Sequence, residues 1–414
     1  MPIISFICFV ISLSIILSCL RKNADIFSPF KVYGLTWFIS IGLTELKFSR
    51  FQHEWSLFSW IVVFTGCISF LVGLFIVSSL SINRSVEAPS SIRKILNESR
   101  FHEKYFFIAI IVVSSLYFLS FVVEAIVHGE LPILSSVPDD SRKKFGFFGA
   151  HLLVTAMPVI LFFIVQYFIL VKKRIYEHYI LAIIFIFIFV TYFTLLVRFN
   201  YIVFFLMAAC FIYYSSDLFN TRNVLIVGGT VVSLFYGTLQ IREARYAENF
   251  LYVISDLKFP KEYSFFAGPY MYIVMNLENV ARVIDKLNQF TYGYYSFDFL
   301  FALTGLKHQL ASYYGLEERI YLNSSFNTFP YFYPYYRDFG LLGVFVCPLM
   351  LGIIVGIVYG LVKTKPTIFN ISIYSFCVFF MAISFFTNPL TMLNNVFMLL
   401  LLIIVNNLIV KKEV

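Results

Sequence analysis

Apolar residues fill long uninterrupted stretches of this chain, and polar residues gather in the gaps between them. Eleven stretches approach the roughly 20 residues that cross a bilayer as a helix: 3–20, 29–46, 57–80, 105–127, 148–171, 179–197, 200–215, 223–240, 339–362, 369–386 and 391–410. The pattern predicts an all-α polytopic membrane protein, a single integral membrane domain over 1–414 with about eleven transmembrane helices. One gap, 241–338, is far longer than the rest. It stays dense in Phe, Tyr and Ile without a Ser/Gly/Pro linker, so a folded extracytoplasmic loop is expected there. Inside it Ile273, Leu277, Val280 and Ile284 recur at helical spacing, with Asn276, Asn279, Arg282, Asp285 and Lys286 elsewhere on the wheel. That predicts an amphipathic helix lying on the outer leaflet or roofing a cavity.

Orientation follows from the basic residues of the short gaps, because Lys and Arg beside a span are retained in the cytoplasm. Lys411 and Lys412 place the C-terminus inside, and alternation then puts Lys363 with Lys365, Arg222, Lys172 to Arg174, the segment 84–104 and Arg21 with Lys22 on the same side. The N-terminus and 241–338 fall outside. Arg142 to Lys144 also fall outside, against the rule.

Composition agrees with the pattern. With 60% hydrophobic and 13% charged residues and a mean hydropathy of +0.84, the chain has too little polar surface for a water-soluble globule. A net charge of +8 is spread along the sequence, which suits anionic lipid and gives no nucleic-acid footprint. All six cysteines, at 8, 19, 67, 210, 347 and 377, lie within predicted spans. Neither disulfides nor a cysteine metal site is expected. No glycine-rich phosphate loop, nucleophile elbow or H-E-x-x-H motif is present, and no cofactor is expected.

The chemistry-bearing residues sit near predicted span ends. Glu45 precedes Lys47 and Arg50, which reads as an interfacial ion pair. Glu124 ends the fourth span just before His128, and Asp139-Asp140 lack further spaced ligands and read as solvated loop. Arg198 sits in a hairpin of three residues between two spans, where its charge needs an anionic partner, either lipid phosphate or a substrate diphosphate. Arg242 and Arg245 are neighbours at i,i+3 if the eighth helix continues past the membrane, and two planar guanidinium forks suit a diphosphate. His308 and Arg319 are isolated polar candidates. Tyr292 to Tyr295, Tyr313-Tyr314 and the run Pro330 to Tyr336 offer flat amphipathic rings, fit for sugar faces and for the membrane interface alike.

The stretch 321–359 passes from aromatic and polar residues into an apolar helix at Tyr336-Arg337-Asp338-Phe339-Gly340-Leu341-Leu342-Gly343. Many spans, one large outer loop and this aromatic-x-D-F-G-x-x-G segment together resemble the O-antigen polymerase (Wzy) type of oligosaccharide repeat-unit polymerases. The resemblance implies a metal-independent membrane glycosyltransferase of GT-C-like architecture in a bacterial inner membrane, its active site facing the periplasm. Its substrates would be undecaprenyl-diphosphate-linked glycans, and its partners membrane lipids, a chain-length regulator and a flippase. Asp338 and Arg242 would be catalytic, with Asp338 a base or the orienting partner of Arg337. Arg198, Arg245, Arg337, Arg319, His308 and Tyr336 would bind diphosphate and glycan. Asp338 could also do no more than cap its helix. An O-antigen ligase shares this layout, and a lipid-linked oligosaccharide flippase is a further reading, although charges at span ends and the lack of an internal repeat speak against the latter.

Overall fold

The computed structural model describes residues 2–21, 24–80, 87–98, 101–147, 149–218, 250–287, 289–313 and 325–409, with a few single positions between 219 and 249. Among these residues the chain is helical and has no strand, only an isolated antiparallel bridge between Ser49 and Leu257. Every predicted apolar stretch carries helix except 223–240, which lies largely outside the described residues. Four helices are long and apolar enough to cross a membrane and several more are apolar but shorter, an arrangement compatible with a membrane protein. The chain folds as two compact units.

The first unit comprises 1–86, 247–364 and 380–396. It opens with α1 (Pro2–Cys19), α2 (Pro29–Thr44) and α3 (Leu57–Leu80). In the second unit, 87–246 with 365–379 and 397–414, lie α4 (Pro89–Glu98), α5 (Glu103–His128), α6 (Pro138–Lys144), α7 (Ala150–Thr155), α8 (Met157–Leu170), α9 (Ile175–Phe193) and α10 (Phe199–Ser215). The chain then re-enters the first unit with α11 (Phe250–Ile254), α12 (Ala267–Lys286), α13 (Asp298–Thr304), α14 (Lys307–Tyr313) and α15 (Tyr333–Thr364). The last helices are α16 (Ile368–Ile383) and α17 (Leu393–Ile409), each with residues in both units.

Within the first unit α3 and α15 touch at backbone distance. A Cβ at Gly352 would overlap the Phe70 carbonyl oxygen, and one at Gly73 the Leu349 carbonyl oxygen. Small residues let two apolar helices gain dispersion contact where lipid offers no hydrophobic drive. Around this seam lies an aromatic core of Tyr33, Trp37, Phe70, Tyr331, Phe332 and Phe380. Its polar tips are paired: Tyr331 donates to the Gly66 carbonyl at 2.9 Å, and the Trp37 indole N–H donates to Ser384 Oγ at 2.9 Å. The run Pro330 to Tyr336, expected to offer exposed rings, is therefore mostly core. Tyr292 and Tyr313 remain open, at 74% and 81% exposure.

The loop helix α12 also departs from expectation. Its apolar stripe packs on Leu257 and Phe326, yet its other side is buried as well. Asn279, fully buried, donates to the Phe326 carbonyl at 2.7 Å and the Thr328 carbonyl at 3.2 Å, and Asn276 accepts from the Thr328 hydroxyl. A helix lying on a leaflet would keep these amides in water; here they carry the unpaired backbone of an irregular segment.

In the second unit the predicted span 148–171 is broken between α7 and α8 at Ala156. Pro158 explains the break, since it lacks the N–H that would continue the ladder. Gln166 donates to Ser372 Oγ at 2.6 Å, and Ser372 donates to Asn406 Oδ1 at 3.1 Å, a buried polar chain. Arg93 ties α4 down through the Tyr213 carbonyl at 3.0 Å and Asp217 at 2.7 Å.

Candidate functional site

The segment Tyr336-Arg337-Asp338 opens α15 at a backbone break. Gly340 has φ 61° and ψ −146°, a conformation in essence reserved for glycine. A Cβ there would also stand 2.9 Å from the Phe290 ring. The predicted helix start at 339 coincides with this break, and one helical turn extends before it.

Asp338 is fully buried and does not cap its own helix. One carboxylate oxygen accepts from the Thr291 hydroxyl at 2.5 Å and the Tyr295 N–H at 3.2 Å; the other accepts from the Ser296 N–H at 2.6 Å. The Thr291 N–H and Tyr292 N–H meanwhile donate to the carbonyls of Arg337 and Asp338. The turn 291–296 is thus clasped onto the start of α15. Such charge-assisted bonds to backbone N–H groups are among the stronger kinds.

Arg337 is not the partner of Asp338. Its guanidinium lies 5.0 Å over the Tyr295 ring and donates to the Tyr295 hydroxyl at a long 3.4 Å. The residue is buried, its Nε–H has no partner, and among the described residues no carboxylate pairs with it. Tyr336, also buried, stands within electrostatic reach of Asp285 on α12.

Asp285 belongs to a second cluster, which sequence reasoning missed. Lys47, read as half of a local pair, bridges two buried carboxylates. Its ammonium is 3.0 Å from Glu278 Oε1 and 3.4 Å from Glu45 Oε1, donates to the His53 carbonyl at 2.6 Å, and sits 5.0 Å over the Trp55 ring. The lysine backbone is left-handed, φ 52°, which costs a side chain with a Cβ about 1 kcal/mol or more. Glu278 also accepts the His53 N–H at 3.3 Å. Nearby, Tyr270 donates to Gln52 Oε1 at 2.6 Å and accepts from the Phe48 N–H at 3.0 Å, and burial pushes its hydroxyl pKa up. A cavity of about 260 Å³ opens against this knot. The one signal in the sequence was Glu278 on the polar side of a helix whose partners lie more than two hundred positions away.

The remaining candidates are elsewhere. Arg198, half-buried, stands at the N-terminus of α10 in the second unit. Arg242, Arg245 and Arg319, and the side chain of His308, lie outside the described residues. Asp139 pairs with Arg142 at 3.2 Å and Lys143 at 2.7 Å on its own short helix. Glu124, fully buried, accepts from the Phe147 N–H at 3.2 Å and meets His151 Nδ1 at 3.0 Å.

No protein-family model matches the chain, nor does any curated protein or solved structure.

Proposed function

We propose that this chain is a membrane glycosyltransferase of the repeat-unit polymerase type, joining undecaprenyl-diphosphate-linked oligosaccharides on the outer face of a bacterial inner membrane. An acceptor hydroxyl of a new repeat unit attacks the anomeric carbon of the growing chain, the bond to the diphosphate breaks, and undecaprenyl diphosphate leaves with the electron pair. The hydroxyl proton passes to a base or to water. Such a reaction asks the protein chiefly for positioning and for compensation of the leaving charge.

The observation that carries this reading is Arg337: a buried guanidinium without a carboxylate partner among the described residues, at the mouth of a long apolar helix. Burying an unpaired charge is costly, and a diphosphate is the kind of partner that a planar fork of donors matches. The eight-residue segment around it supports the same reading. Arg198 and Arg242 remain the other proposed diphosphate contacts.

The test is deletion of the gene in its host and complementation, with surface glycan length as the readout and membrane protein levels checked. Deletion should leave single-unit caps, and Arg337→Ala should do the same, with turnover down about 10²-fold or more. Arg337→Lys should rescue only partly, since it keeps the charge but loses the fork. Full-length chains from Arg198→Ala and Arg242→Ala at normal levels would remove those two from the clamp. A deletion strain with no attached glycan would mean a ligase or a flippase instead. Reporter fusions at Lys286 and Val414 should report opposite compartments.

A further inference from the structure

The cavity beside the Lys47 knot has features that a merely solvated surface does not need. Its walls include Glu54, Trp55, Glu278, Arg282, Asp285 and Lys286. Arg282 and Asp285 are three apart on α12, the spacing at which opposite charges normally pair on a helix. They do not pair. Asp285 accepts instead from the hydroxyls of Ser56 at 3.0 Å and Ser59 at 3.3 Å, and both contacts use the same oxygen. Its second oxygen stays open, and the half-buried Arg282 has no acceptor among the described residues.

We propose that this cavity holds one sugar ring of the glycan substrate, an assignment that rests on the polymerase reading and locates the carbohydrate half of the site. Sugar hydroxyls are donors and acceptors at once, and the wall supplies both: guanidinium and ammonium from Arg282 and Lys286, carboxylate oxygens from Glu54 and Asp285. Trp55 gives the apolar surface that carbohydrate C–H faces need. At about 260 Å³ the space falls below the roughly 300–1,000 Å³ of pockets for drug-sized ligands. That is room for a ring and not for an oligosaccharide. Three carboxylates on the wall disfavour a phosphate, so the diphosphate belongs near Arg337 and the ring here. Tyr336 joins the two, being adjacent to Arg337 in sequence and within electrostatic reach of Asp285.

The floor is rigid by construction. Glu278 is clamped by the Lys47 ammonium and the His53 N–H, and Lys47 is held in a strained backbone. Binding sites keep their geometry when the side chains behind them are fixed in this way.

The experiment uses the full chain in lipid nanodiscs and a panel of methyl glycosides: glucoside, galactoside, mannoside, rhamnoside, N-acetylglucosaminide and glucuronide. Binding is read by saturation-transfer NMR and by tryptophan fluorescence, the chain having three tryptophans. At least one glycoside should bind, its fluorescence response should vanish in Trp55→Phe, and Arg282→Ala and Asp285→Asn should each weaken it about tenfold or more. Unchanged unfolding temperatures in these variants keep the comparison clean, and Lys286→Gln, at the rim, should fold normally and weaken binding less. If no glycoside binds, or if binding is indifferent to Arg282→Ala and Asp285→Asn, the assignment is overturned. If binding behaves as expected but the deletion strain still makes full-length glycan, the sugar site stands and the polymerase reading falls.

Discussion

Two buried carboxylate clusters in the same unit solve one electrostatic problem in opposite ways. Asp338 is neutralised by dipoles: three donors from a six-residue turn fill both of its oxygens, and no cation among the described residues pairs with it. Glu278 and Glu45 are neutralised by an ion, the ammonium of Lys47, and neither Glu45 oxygen has a hydrogen-bond donor. A dipole-filled carboxylate has no capacity left over for a ligand. An ion-paired one keeps lone pairs free and borders a cavity. The charge of the D-F-G segment thus builds the loop, while the unregarded lysine backs the open space.

The contrast predicts which cluster breaks harder. Lys47→Met strands two buried carboxylates at once, and breaking a buried ion pair from one side costs about 3–5 kcal/mol. Thermal unfolding of the nanodisc protein should show a larger loss for this variant than for any change at Asp338 or Gly340. The double variant Lys47→Met/Glu278→Gln should recover part of it, because one stranded charge is gone. Equal stability of the single variant and the parent would mean that the knot is not held by charge.

Asp338→Ala comes next. It strips the acceptor from three donors at once, and each buried donor left unmade costs about 1–3 kcal/mol. Tyr292 in the same turn is exposed, so water can enter and the total should settle near about 2 kcal/mol. Limited proteolysis should cut first within 291–296. Cleavage elsewhere at the parent rate would argue that the turn is fastened by something other than Asp338. Gly340→Ala is expected to cost about 1–3 kcal/mol through its backbone conformation, and Phe290→Ala should relieve the steric share of that loss but not the conformational share.

The same contrast shows what was legible in the sequence. Apolar runs located the helices at 57–80 and 105–127 to within a residue or two, and the closely approaching Gly73 and Gly352 are small residues within predicted spans, because both signals are local. Arg337-Asp338 was legible as a place, since adjacent residues stay adjacent. Its partners were not: Thr291 to Ser296 lie more than forty positions away, and Lys47 to Glu278 more than two hundred. Periodicity likewise located α12 but misjudged its polar side. Asn279 looks solvated on a helical wheel, and only the irregular backbone of 326–328 reveals why it is buried.

Asp338→Asn has the smallest of these effects and the sharpest meaning. An asparagine offers one acceptor oxygen where the aspartate offers two. With that oxygen facing Ser296, the amide nitrogen can donate to the Thr291 hydroxyl, which can accept, and only the Tyr295 N–H loses its partner. With the oxygen on the other side, Ser296 alone is stranded. Either way one bond is lost, about 1 kcal/mol, and the clasp survives. A carboxylate that took the acceptor proton would behave differently, because removing a general base lowers turnover by about 10²–10⁴-fold whatever happens to folding. The three donors on Asp338 favour the anchor, so Asp338→Asn should leave surface glycan near full length at normal protein level. Single-unit caps from this variant, with the protein present and its unfolding temperature close to the parent's, would make Asp338 the base and return the reacting hydroxyl to the mouth of α15.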